Sequence, residues 1–343
     1  MSGDGPSRRH PYRSLRLIVG TLIGLGFVVF LFAKHDFGAV LQAASLAGYG
    51  FLLVVLWRGT SLLAATAGWR LLMRPIERPG LARLWLARWI GEAVNSMLPV
   101  AQIGGDVVRT RLAHRIPLPD GGRLAGISAA ASVIIDMTVA LTAQSLFALP
   151  GLWRIASLPE VSLWKLSASL AVTALPLLLL LGAQRGRVLK GGAALADRMG
   201  LARFLGSPHL IGDGLRRRIA ATYRRWPSLL AALLWHLGAW VCRAGEVWLI
   251  LRLMGQPIDW LNAVTIEGLT NAARTAAFLL PAGLGVQEGA LILVCGWLGI
   301  PPPMALALAL LKRARELAVG LLGLGAWLMV EHGALRRTFR HQT

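Results

Sequence analysis

Apolar residues in this chain run in long blocks separated by short arginine-rich stretches, and do not alternate with polar ones. The blocks fall at about 15–33, 49–72, 124–149, 161–182, 228–253 and 303–330. Each comes close to, or exceeds, the roughly 20 apolar residues that a helix needs to cross a bilayer. Two regions interrupt the pattern. "SMLPVAQIGGDVVRTR" (96–111) and "FLLPAGLGVQEGALILV" (278–294) both follow a Leu-Pro step with glycines. An acid arrives at the same offset in each, Asp106 seven residues after Pro99 and Glu288 seven after Pro281. Gly104, Gly105, Gly283 and Gly285 permit tight reversal. Unpaired backbone in hydrocarbon costs several kcal/mol per group, so a broken helix survives only inside protein or along a hydrated cavity.

Arginine flanks give the orientation. Arg8, Arg9, Arg13 and Arg16 place the N-terminus in the cytoplasm, and Arg336, Arg337 and Arg340 place the C-terminus there. The stretch holding Arg70, Arg74, Arg78, Arg83 and Arg88 and the stretch holding Arg109, Arg111, Arg115 and Arg123 are both basic. The segment between them therefore dips into the membrane and returns, and 259–300 dips in from the opposite side. The predicted fold class is an all-α polytopic membrane protein with about six spanning helices and two re-entrant hairpins. Residues 1–14 form a basic cytoplasmic N-terminus, 15–330 a single transmembrane domain, and 331–343 a basic cytoplasmic tail. Within the domain a first repeat runs over about 49–149 and a second over about 228–330, joined by a basic cytoplasmic connection, 184–227. Arg58, Asp106 and Asp136 correspond to Arg243, Glu288 and Glu316, and the copies enter from opposite faces, which makes the repeat inverted.

Composition narrows the class further. Hydrophobic residues make up 55% of 343 and charged residues 15%, with a mean hydropathy of +0.60. A net charge of +20 raises nucleic acid as a partner, but the basic residues cluster between apolar spans, as the positive-inside rule requires. Anionic headgroups on the cytoplasmic face are the better match, and no nucleic acid is expected. Cys242 and Cys295 read as buried small hydrophobes, without the spacing of a disulfide framework or a metal site. The first block resembles a signal peptide in its charge order, yet its apolar run is too long and no small-x-small site follows, so it reads as an uncleaved helix. "GLARFLGSPHLIGDGLRRR" reads as an interfacial amphipathic segment.

The chemistry resides in the intramembrane charges. Arg58, Arg243, Asp136, Lys312, Arg313, Arg315 and Glu316 all fall inside apolar blocks. A charge at the membrane centre costs roughly 3 kcal/mol even on a lenient scale, so these residues pair with one another or line a hydrated path. Lys312 and Glu316 stand at i, i+4 and can pair on one helix; Arg313 and Arg315 need partners elsewhere or an anionic ligand. Asp106 and Glu288, in the first turns of restarted helices, read either as caps or as headgroup or proton sites. His236 reads as a packed, hydrogen-bonded histidine. No metal cluster, nucleophile–base pair, P-loop or dinucleotide fingerprint is present, so neither enzyme activity, a metal nor a cofactor is expected. Without an ATP-binding motif, transport would be passive or ion-coupled.

The stretches "RWIGEAVNSMLPVAQIGGDVVRTRL", "AASVIID" and "AAFLLPAGLGVQEGALIL…LALALLKRARELAVGL" resemble the flippase-like proteins that share the transmembrane region of lysylphosphatidylglycerol synthase. They look most like the hopanoid-biosynthesis-associated branch, and the likeness covers about 15–330. It implies a bacterial inner-membrane protein that translocates a polar-headed lipid, with lipid-biosynthesis proteins as partners. It brings forward Asp106, Arg109, Asp136, Glu288 and Glu316. The soluble aminoacyl-transfer domain that makes a lysyl lipid is absent from this sequence. The expected translocation set is Asp106, Arg109, Asp136, Glu288, Lys312, Arg315, Glu316, Arg58 and Arg243, with Pro99, Gly104, Gly105, Pro281, Gly283 and Gly285 breaking the hairpins. Two rivals stand beside it: a membrane enzyme acting on a lipid or isoprenoid headgroup with Asp136 and Glu316 as acid and base, and a non-transporting component of a lipid-synthesis complex.

Overall fold

A computed structural model describes residues 37–97, 104–157, 208–277 and 285–340, with isolated positions between 167 and 182. Pro99, Pro281 and Gly283, the apolar block at 15–33 and most of 161–182 lie outside the described residues. Those residues form ten α-helices and no strand beyond an isolated bridge between Pro117 and Arg123. The all-α class is thereby established. In chain order the helices are α1 (Phe37–Ser45), α2 (Gly50–Leu72), α3 (Leu81–Met97), α4 (Gly104–Arg115), α5 (Gly126–Ala156), α6 (Pro208–Tyr223), α7 (Trp226–Leu253), α8 (Trp260–Ala276), α9 (Val286–Trp297) and α10 (Pro302–Arg340).

Three of these, α2, α5 and α7, are long and apolar enough to cross a bilayer. The sixth apolar block lies within α10, where Lys312, Arg313, Arg315 and Glu316 interrupt the run. Length separates the remaining elements. At 1.5 Å per residue the 12-residue α4 and α9 reach about 18 Å, well short of the roughly 30 Å hydrocarbon layer.

The packing repeats. Helices α3 and α4 pack together, as do α8 and α9; α3 packs on α10, and α8 on α5; α1 packs on α10, and α6 on α5. Advancing every helix by five positions, and wrapping round, turns each of these contacts into another observed contact. The central pair, α2 and α7, exchange with each other. They run antiparallel, with Gly50 against Leu253, Trp57 against Gly245 and Gly68 against Ala232 and His236. Trp57 Nε1 donates to the Cys242 carbonyl at 2.7 Å, fixing the crossing beside Arg58 and Arg243. Equivalent helices that meet antiparallel are related by an axis across them, so the two five-helix halves are inverted relative to one another. Helices α1 and α6 take part in this exchange through their contacts with α10 and α5.

The start of α3 lies near the end of α4, and the start of α8 near the end of α9. Met73, Leu84, Leu112, Ile116 and Leu124 share one apolar cluster. Met254, Ile266, Val294, Cys295 and Ile300 share another. Close approach of α4 to α3 depends on glycine: a Cβ on Gly105 would collide with the Gly91 carbonyl oxygen of α3. At the second, Gly285 caps α9 with φ 82°, a conformation that L side chains rarely adopt.

Candidate functional site

A cavity of about 210 Å³ opens where the two halves meet. Its charged lining comes from five helices: Arg58 on α2, Glu92 on α3, Arg243 on α7, Arg274 on α8, and Arg315 and Glu316 on α10. Asn95, Ser96, Gln144, Asn271 and Thr275 add neutral hydrogen-bonding groups, and Trp240 and Val319 supply apolar wall. Four arginines against two glutamates leave the lining net positive.

Every one of those charges has a protein partner. Arg58 donates to Glu92 at 2.7 Å and Arg274 to Glu316 at 2.7 Å. Arg243 donates from Nε to Glu267 (2.9 Å) and from an Nη to Asn271 (3.0 Å), and its guanidinium lies 4.3 Å from the Trp240 ring centroid. Arg315 is tied to Glu246, with Nη2 to Oε1 at 2.7 Å. Glu92 keeps the most exposed carboxylate, its side chain 41% accessible. That exposure leaves lone pairs that can accept from a bound group, whereas the buried acids are enclosed by their partners.

Behind the cavity lie two denser clusters. Asp136 is 1% exposed and accepts from Arg88 at 3.0 Å and Arg109 at 2.7 Å, with His236 Nε2 2.9 Å from its other oxygen. Arg109 also bridges Asp106 and stacks over Trp69. In the second half Glu267 accepts from Lys312, Arg243 and Asn271. Glu288 accepts from Arg313 at 2.9 Å and from the Gly285 N–H at 2.8 Å, so it caps α9 as well as pairing. In α4 the Gly105 N–H, one residue into the helix, is taken by Asn95 Oδ1 at 2.7 Å.

Of the residues expected from sequence, the structure brings Arg58, Arg243, Arg315 and Glu316 to the cavity. Asp106, Arg109, Asp136, Glu288 and Lys312 are placed in the supporting clusters and do not line it. The Lys312–Glu316 pairing and the Asp136–Glu316 correspondence differ from expectation, whereas Arg315 finds a partner elsewhere, as expected. Lys312 pairs with Glu267, not Glu316, because its side chain turns toward α8; Glu316 instead takes Arg274 and, at i−3, Arg313. Arg315 finds its partner in Glu246, on α7. Counted from the helix starts, Asp136 is the eleventh residue of α5 and Lys312 the eleventh of α10, so Asp136 is equivalent to Lys312 and not to Glu316. By the same count Arg88 and Glu267 are each eighth, in α3 and α8. The pair Arg88–Asp136 thus recurs as Glu267–Lys312 with its charges exchanged.

Sequence reading missed Glu92, Glu246, Glu267 and Arg274, and took Arg88 for a surface flank. A signal was present: Arg88 and Glu92 at i, i+4 on α3, and Glu267, Asn271 and Arg274 along one face of α8. His236 is the packed, hydrogen-bonded histidine the sequence suggested.

Taken together, these separate ion-pair groups hold eight cations (Arg58, Arg88, Arg109, Arg243, Arg274, Lys312, Arg313, Arg315) against seven acids (Glu92, Asp106, Asp136, Glu246, Glu267, Glu288, Glu316). Arg and Lys side chains thus exceed the acids by one. No group of three or more His, Cys, Asp or Glu among the described residues is arranged to hold a metal.

No curated protein and no solved structure matches the chain. Residues 17–323 match the lysylphosphatidylglycerol synthase transmembrane region, a family whose name marks it as a membrane component of lipid metabolism. With that match running over nearly the whole chain, from the first apolar block to the last, the protein belongs to the lysylphosphatidylglycerol synthase transmembrane-region family.

Proposed function

We propose that this protein moves a polar-headed lipid, hopanoid-related lipids among the candidates, between membrane leaflets through the cavity at the junction of its halves. It acts without catalysing a reaction and sits in the cell membrane with both termini in the cytoplasm. The observation that carries the reading is the placement of a charged, hydrogen-bonding cavity at the crossing of α2 and α7, two of the helices apolar enough to span. Ionisable groups at that depth mark a polar path through the bilayer. Inverted halves supply a means of exposing one site to either side in turn. Pairs α3–α4 and α8–α9 act as re-entrant hairpins in this reading, holding Glu92, Asn95 and Arg274 at the cavity wall.

Purified protein in liposomes with headgroup-labelled lipids, read by an impermeant quencher, tests the proposal. Protein-dependent transfer is expected for at least one of three classes: zwitterionic, anionic, or uncharged polyhydroxylated. Glu92→Gln removes an exposed cavity carboxylate. A hydrogen bond to a charged group contributes about 1.5–3 kcal/mol, so transfer should slow at least about tenfold while the protein stays monodisperse. Absence of transfer for all three classes by monodisperse protein would overturn the reading and leave a non-transporting role in lipid synthesis.

A further inference from the structure

A second, smaller cleft lies at the arginine-rich end of the molecule, between the end of α2, the start of α5 and α6. We propose that it binds the phosphate oxyanion of an anionic lipid headgroup, a surface site separate from the central cavity and independent of the transport reading. Its volume is about 40 Å³. At roughly 10–15 Å³ per water, that is room for about three waters or one tetrahedral oxyanion.

Three features converge there. Arg74, Arg218 and Arg225 line the cleft against a single acid, Glu77, so the wall is net positive. Arg218 reaches Glu77 at only 3.3 Å, a long contact between half-buried groups that an incoming phosphate can replace. Arg225 is held in place by donating to the Met73 carbonyl at 3.3 Å and to Ser228 Oγ at 3.0 Å, which sets its charge at the rim without an acid to cancel it. The second feature is the N-terminus of α5. Its N-cap, Ala125, provides no side-chain cap, so the first-turn N–H groups and the positive end of a 31-residue helix lie beside the cleft. The third is Ser128, in that first turn. It lines the cleft, is 8% exposed, and its Oγ has no hydrogen-bond partner. A buried hydroxyl without a partner is costly, and an oxyanion seated between it and the arginines satisfies it.

The position favours a lipid source. The cleft lies beside α6, where Arg216 and Arg217 are exposed next to Arg218 of the cleft wall, a basic surface suited to a bilayer rich in anionic lipid. Thr222 of α6 adds a second hydroxyl to the wall.

The test uses the full-length protein in detergent, with thermal stability read against dihexanoyl phosphatidylglycerol, dihexanoyl phosphatidylcholine and inorganic phosphate. The glycerol lipid should raise the melting temperature at concentrations at which the choline lipid does not. Arg74→Ala and Ser128→Ala should each weaken that response at least severalfold; Ser128→Ala only trims a hydroxyl, so it keeps the assay interpretable if the arginine variant folds poorly. Glu77→Gln should strengthen the response by removing the competing carboxylate. Inorganic phosphate matching the glycerol lipid at equal concentration would keep the oxyanion site and assign it to soluble phosphate. Equal responses to both lipids, or responses unchanged in Arg74→Ala and Ser128→Ala, would overturn the proposal.

Discussion

Asp136 accepts from two arginines and lies against His236, all inside the helix bundle. It shows what a buried acid does for this protein. Two guanidinium groups taken out of water need a counter-charge, and the carboxylate supplies it at hydrogen-bonding distance from both. Neither Asp136 nor its three partners lines the central cavity, so its expected role is to hold α3, α4, α5 and α7 together. Asp136→Asn should therefore destabilise by about 3–5 kcal/mol, the usual cost of breaking a buried ion pair from one side. Thermal unfolding of the purified protein in detergent reads this directly. Glu92→Gln leaves the buried Arg58 an amide oxygen to donate to and a partner that stays open to the cavity, so its destabilisation should be smaller than that of Asp136→Asn. A stable Asp136→Asn with normal unfolding would instead mean that Arg88 and Arg109 have another way to be neutralised. The contrast between these two acids was hidden in the sequence. Asp136 announced itself by standing in an apolar block, whereas Glu92 sat in a mixed segment with Arg88 four residues earlier and carried no such contrast.

Helix α3 explains much of what pattern reading got right and wrong. Its two ends were legible: the basic stretch before it and the Leu-Pro break after it. Its interior was not, because a helix enclosed by protein need not be apolar all round, and its Arg88 resembled one more flanking arginine. Helix α8 hid Glu267 and Arg274 in the same way. The long helices α2, α5 and α7 could be read from composition because each carries an apolar run long enough to cross a bilayer. Partner choice needed three dimensions, since Lys312 prefers an acid on α8 to one a turn away on its own helix. The equivalent pairs Arg88–Asp136 and Glu267–Lys312, joining α3 to α5 and α8 to α10, make a further expectation. Double-mutant cycles with Arg88→Met and Asp136→Asn, and with Lys312→Met and Glu267→Gln, should give coupling of the same sign in both halves. Its size should fall within about 0.5–3 kcal/mol, the range for groups in direct contact. Zero coupling in one half would show that the exchange of charge is a coincidence of position.

The molecule as a whole has two distinct ends, and their charge differs. Arg70 donates to the Pro79 carbonyl, Arg225 to Met73, and Arg115 to Glu331, gathering the loops around residues 73–80, 116–125 and 224–228 and the region of Glu331 at one end. At the other end, Arg154 meets Asn262, while Met254, Ile258 and Ile300 close the apolar cluster that reaches back to Val40. Basic loops are retained in the cytoplasm, so the first end should be the cytoplasmic one. This gives a labelling experiment with four single cysteines, in a background with Cys242 and Cys295 changed to serine. Ile76→Cys and Asp120→Cys stand on exposed loop positions either side of the α3–α4 pair, and Pro257→Cys and Pro301→Cys on exposed positions either side of α8–α9. A membrane-impermeant maleimide applied to intact cells should modify only the second two, and inverted vesicles should reverse the result. Because both members of each pair flank one hairpin, matched labelling within a pair means that the intervening helices dip in and return. Opposite labelling of positions 76 and 120 would make α3 and α4 together a crossing, and the halves would no longer be inverted about the α2–α7 contact. The cavity would then lose the two-sided access on which transport depends.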